Sequence, residues 1–212
     1  MNPPEWTPPE WTPSPWAPGT PPQPERTAAL PMLLTTAADE VRTQLLRRRI
    51  IVSTGPLDAA AAEDVVGQLL LLDTEGPGEI TLHLSAPDAD LAAALTVIST
   101  VDLIAAQVHA IATGSIESAA VGAYAAAARR SAHPHAAFVL RDPTAAFEGR
   151  TEDLAIAAEQ HARDLAILSG RIAAATGQSP ADVAADMARG RLLTAGDAED
   201  YGLVTTGLAS HP

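Results

Sequence analysis

Apolar positions along the chain alternate between short unbroken runs and longer stretches with helical spacing. RRIIVST (48–54) is such a run and predicts a buried strand, closed by the turn GPLD (55–58) with Asp58 set to cap a helix. AAAAEDVVGQLLLLDTE (59–75) gathers Val65, Val66, Leu69, Leu70 and Leu72 on an apolar face and predicts a helix. EITLHLSAP (79–87) predicts a strand, and DADLAAALTVISTVDLI (88–104) a helix. QVHAIATG (107–114) predicts a strand, residues 118–128 a small-residue helix, and HAAFVLRDP (135–143) a strand ending at Pro143. A long helix follows over 151–176, then a shorter one in SPADVAADMARG (179–190), with Ser179 as cap and Pro180 in its first position. RLLTAGDAEDYGLV (191–204) predicts a short helix and then a last strand. Ahead of all these, residues 38–49 predict a short helix ending in Arg47, Arg48 and Arg49.

Strands alternating with helices of 10 to 15 residues predict repeated βαβ units, an α/β fold with a mostly parallel sheet. Right-handed crossovers collect strand C-terminal ends along one edge, where ligands bind in such folds. Ser118, after the strand at 107–114, falls on that edge, and so does Asp88, after the strand at 79–87.

Residues 1–26 follow another rule. PPEWTPPEWTPSPWAP repeats Pro and Trp, placing Trp6, Trp11 and Trp16 at a five-residue step. Proline blocks helix and sheet interiors, so this segment is expected to be extended, polyproline-like and largely disordered. It is either a tail of no consequence or a docking peptide whose tryptophans anchor in an unknown partner. The globular domain is expected over 27–208.

Composition narrows the function classes. The 212 residues suit one domain plus a tail. The apolar fraction is 47%, mostly Ala, Leu and Val, so the core is built of many small contacts. Cysteine is absent, which excludes disulfides and thiolate metal sites. All 13 basic residues are Arg, a bias that points to a GC-rich bacterial coding sequence. A net charge of −13 argues against nucleic acid as partner. No apolar run reaches the roughly 18 residues that a membrane helix needs, and the N-terminus lacks a basic-then-apolar leader pattern. The expected location is the cytoplasm.

Taken in order, the segments resemble the proteolytic subunit (ClpP) family of the Clp protease, within the crotonase-like superfold. RRRIIVSTGPLD (47–58), QLLLLDTEGPGEITLHLSAP (68–87), GSIESAAVGAY (114–124), RSAHPHAAFVLRDP (130–143), the stretch 148–178 and TAGDAEDYGLV (194–204) carry the resemblance, which spans about residues 30 to 206. It implies a protruding handle helix at 151–176 that joins two stacked heptameric rings into a tetradecamer. It also implies a nucleophile at Ser118, four residues after Gly114, and an orienting acid at Asp186. The histidine position falls on Arg141, two residues before Pro143, given a two-residue deletion in a surface turn around Arg129 and Arg130. The oxyanion positions fall on Asp88, where the family has glycine, and on Ala119.

The departures decide the chemistry. A serine hydroxyl needs a base within hydrogen-bond reach. Arginine, with a pKa above about 12, accepts no proton near neutrality. Arg141 is instead expected to pair with Asp186, turning the triad into a structural ion pair. Asp88 restricts the backbone where glycine is wanted and puts a carboxylate near a developing oxyanion. His135 precedes Arg141 on the expected strand by ~20 Å at a strand's rise per residue, and His133 by more, too far to replace the base. His83 and His109 read as strand residues, and Glu117, next to Ser118, is not expected to face it. His133 and His135 have no third ligand near in sequence, so no metal and no cofactor is expected.

The expected function is therefore a catalytically inactive or severely impaired ClpP-like subunit that acts as structural or regulatory partner of an active paralogue, in a homo- or hetero-oligomer built through the handle helix. One alternative is an active serine peptidase or esterase using Ser118 with a non-standard base. The other is a crotonase-like acyl-thioester enzyme with Asp88 or Glu117 as base. Docking of a Clp ATPase is expected to be weakened. The family's tyrosine-rich docking strand reads ITLHL here, with Thr81 and His83 in place of aromatics, and its axial N-terminal loop is shortened.

Overall fold

The computed structural model describes residues 37–146 and 150–207. The Pro/Trp segment at 1–26 and both ends of the expected 27–208 domain lie outside the described residues.

The chain runs α1 (Ala37–Leu46), β1 (Ile50–Thr54), α2 (Ala59–Thr74), β2 (Ile80–Ala86), α3 (Leu91–Leu103), β3 (Val108–Glu117), α4 (Ala120–Ala125), β4 (Arg129–Ala132), β5 (Ala137–Leu140), α5 (Thr151–Thr176), α6 (Pro180–Arg189), β6 (Arg191–Thr194) and α7 (Ala195–Tyr201). The strands form a six-stranded sheet in the order β1-β2-β3-β5-β6, with β4 also paired to β3. All pairings are parallel except β5 with β6. The expected α/β fold with a mostly parallel sheet is therefore present.

The caps read from sequence hold. The Asp58 side chain accepts from the Ala61 N–H, and the Ser179 hydroxyl accepts from the Asp182 N–H with Pro180 in the first turn. Along β2 one face is buried, at Ile80, Leu82, Leu84 and Ala86, while Thr81, His83 and Ser85 lie half-buried on the other. Every residue of α4 is buried. A Cβ at Gly122 would collide with Leu168 Cδ1, so the missing side chain is what lets α4 approach α5. In α5 the second half packs on the core through Leu168, Ile172 and Ala173. The described part of its first half buries nothing, leaving Ile156 exposed, as a protruding handle requires.

Three expectations are corrected. β3 runs on to Glu117 rather than ending at 114, and α4 is shorter than 118–128. The cause is that β3 pairs in series with β4, over His109–Ala112, and with β5, over Ser115–Glu117. Between them the register against β2 shifts, and a Cβ at Gly114 would collide with Ser85 Oγ. Second, Arg129 and Arg130 lie in β4, not in a surface turn. Arg130 is buried and donates to the carbonyls of Leu203 (2.7 Å), Ala127 (2.9 Å) and Ala175 (2.8 Å). These carbonyls lie just beyond the ends of α7 and α4 and in the last turn of α5, whose partial negative charge offsets the buried cation. Third, near the C-terminus the strand precedes the helix. RLLT pairs with β5, Thr194 and Asp197 then start α7 with a capping box, and the backbone N–H groups of Thr205 and Thr206 bond the Arg130 carbonyl.

Candidate active site

Ser118 sits between the end of β3 and the start of α4, at a φ of +56°. Non-glycine residues rarely occupy this left-handed region, so the elbow is strained and held by its surroundings. Its N–H donates to Val139 O on β5 at 2.9 Å, and its carbonyl accepts from the Val121 N–H at 3.2 Å to open α4. The side chain is enclosed, with the residue 2% exposed. Among the described residues, Ser118 Oγ is the one fully enclosed side-chain polar atom without a hydrogen-bond partner. Ala119, next in the chain, is fully buried.

Arg141 follows β5 directly. Its Nη2 stands 3.4 Å from Glu117 Oε2 and 3.5 Å from Asp88 Oδ1, and donates to Pro87 O at 3.4 Å. Glu117 takes a second bond at 2.7 Å from Ser115 Oγ. Asp88 lies in the loop after β2, which the turn after β1 holds from the other side: Leu57 N–H donates to Asp88 O (2.9 Å) and Asp90 N–H to Leu57 O (3.0 Å).

Asp186, buried in α6, is engaged elsewhere. Arg189 donates to its Oδ1, while Arg191 Nη1 and the Tyr201 hydroxyl donate to its Oδ2, each at 2.9 Å. The Arg191 guanidinium also lies 4.9 Å over the Tyr201 ring. Burial alone would raise the Asp186 pKa, but the three hydrogen bonds outweigh it and hold the carboxyl below the usual carboxylate range. Burial, with the bond to Asp186, pushes Tyr201 up to about 12.

The expected Arg141–Asp186 ion pair is thus not formed. The pleat explains why. Glu117 pairs with Val139 and Leu140 with Arg191, so Arg141 shares the face of Glu117, whereas Arg191 belongs with Leu140 on the opposite face. Arg189 and Arg191 lie three and five residues beyond Asp186, within easy local reach. Ser118, Arg141 and Asp186 are not joined by hydrogen bonds.

None of the described histidines hydrogen-bonds Ser118 Oγ. His109 Nε2 bonds Ser131 Oγ at 2.8 Å, and burial lowers its pKa, as it does that of His83. His133 and His135 fall in the turn between β4 and β5, with ring centroids 5.3 Å apart, rather than on one strand. Among the described residues no group of three His, Asp or Glu could hold a metal.

A family profile described as Clp protease matches residues 35–209. The chain is 33% identical over 175 residues to the ATP-dependent Clp protease proteolytic subunit 1 of Nocardia farcinica, covering 80% of this chain and 88% of that one. The chain belongs to the Clp protease family. Within this Clp protease fold, sequence reasoning missed the partners of Asp186 and the pairing of Glu117 with Arg141. The spacing of Asp186, Arg189 and Arg191 around a helix end carried a signal for the first. Nothing local announced Tyr201, which arrives from a later helix.

Proposed function

We propose that this chain is a Clp protease-family subunit without a working catalytic centre, serving in the cytoplasm as structural or regulatory partner of an active paralogue. One observation carries this reading: the Ser118 hydroxyl has no hydrogen-bond partner among the described residues, and the residue at the family's histidine position is an arginine already engaged by two carboxylates. Removing a triad base costs a factor on the order of 10⁶ in rate. Asp186, the acid position, is occupied by two arginines and a tyrosine, so it is not free to orient an imidazole.

The strained elbow at Ser118 favours a second reading, an active serine peptidase that borrows its base from a neighbouring subunit. The acyl-thioester reading has less support, because Asp88 and Glu117 are both paired to Arg141. Assembly rests on α5, whose outer half offers Ile156 to a partner, in homo- or hetero-oligomeric rings. ATPase docking is weak in this reading, because Thr81 and His83 on β2 offer no aromatic anchor. Mixing the purified chain with an active ClpP-type paralogue and weighing the product by native mass spectrometry tests the role. Mixed rings are expected; a chain that stays monomeric with and without the paralogue would contradict it.

A further inference from the structure

We propose that Asp88 and Glu117 are positioning residues for Arg141, and that the three form one charge clamp fastening the loop after β2 across the ends of β3 and β5. The proposal rests on the reading of this site as one without a working base. It extends that reading by making the inactivity a property of three residues rather than one.

The geometry is that of a bridge. Arg141 Nη2 lies between Glu117 Oε2 at 3.4 Å and Asp88 Oδ1 at 3.5 Å, and also reaches the Pro87 carbonyl at 3.4 Å. Glu117 is fixed in turn by Ser115 Oγ at 2.7 Å, so one anchor of the bridge is rigid. The other anchor, Asp88, belongs to the loop that Leu57 bonds from its far side. That loop therefore has two fastenings, backbone bonds to the turn after β1 and the guanidinium of Arg141. With the guanidinium removed, two carboxylates remain near each other with no counter-charge between them. Their repulsion then pushes the loop outward.

The clamp carries a consequence for the chemistry. An imidazole placed at position 141 would take the guanidinium's place between Asp88 and Glu117. Two facing carboxylates favour its charged form, and a charged imidazole cannot accept the serine proton. Asp142, the chain neighbour, lines the groove against α5 and α6, so Asp88 and Glu117 are the charged groups paired at this position. Arg141→His alone therefore supplies no base. The carboxylates have to be neutralised with it.

Two readouts test this on the full chain, and neither depends on hydrolysis. In the first, the introduced imidazole is titrated by NMR in Arg141→His, in Arg141→His with Asp88→Asn, and in the triple variant adding Glu117→Gln. The single variant is expected to titrate about one unit above the ordinary histidine value, and each neutralised carboxylate to bring it down. In the second, hydrogen exchange is followed at backbone amides 88–90. Arg141→Gln is expected to speed it roughly two- to five-fold, the range for partly exposed ion pairs, while Arg141→Lys stays near the parent rate. An imidazole that titrates alike in all three variants, or amides that exchange at the parent rate in Arg141→Gln, overturns the clamp. Covalent labelling of Ser118 in the parent chain would overturn the inactive reading instead, and would leave these two readouts as they are.

Discussion

Replacing Asp186 by Asn asks whether this carboxylate is a structural staple or a spare catalytic acid. The change keeps the shape and removes the charge. Three bonds are affected, and they differ in weight. The Tyr201 bond is buried, and losing a charged acceptor there costs about 1.5–2 kcal/mol. Arg189 and Arg191 keep 71% and 46% of their side chains exposed, so water recovers most of what they lose, leaving about 0.5 kcal/mol each. The total is about 2.5–3 kcal/mol, or a fall in Tm of about 5–12 °C for a domain of this size. The pH dependence follows from the sign of the shift. A carboxyl held below its ordinary pKa stabilises the fold above that ordinary value and loses the contribution as pH falls through its folded pKa. The gap between parent and Asp186→Asn should therefore be widest near neutrality and begin to narrow below about pH 4, shrinking further as pH falls toward the lowered folded pKa. Circular-dichroism melts across pH 3–8 measure it. A neutral-pH shift under about 2 °C, or a gap that does not narrow between about pH 5 and pH 3, would refute the staple.

Ser118→Ala removes an enclosed hydroxyl that has no hydrogen-bond partner among the described residues, so the fold is expected to gain about 1 kcal/mol and a few degrees in Tm; a clear loss would mean the hydroxyl has a partner after all. Arg130→Lys keeps the buried charge but lacks the planar fork that reaches three helix ends, and should cost about 2 kcal/mol in a denaturant melt. Equal stability would show that charge alone matters there.

Most of the fold was legible because it rests on local signals. The caps at Asp58 and Ser179, the alternation along β2 and the length of α5 each follow from a few neighbouring residues. What escaped depended on long-range pairing. No periodicity distinguishes the four residues of β4 from a turn until β3 lies beside them. The same holds at the site. That position 141 cannot accept a proton follows from the residue type alone. Which carboxylate would claim the guanidinium was settled by the pleat, which sets Arg141 with Glu117 and leaves Asp186 to Arg189, Arg191 and Tyr201.

The central proposal is that no group among the described residues takes the proton from Ser118, and covalent capture by a fluorophosphonate tests it most directly. The purified full-length chain is incubated with the probe across pH 6–9, and Ser118→Ala serves as control. Intact mass and peptide mapping should show Ser118 unmodified under conditions that saturate an active ClpP-type subunit. Stoichiometric labelling at Ser118, lost in the alanine variant, would contradict the account.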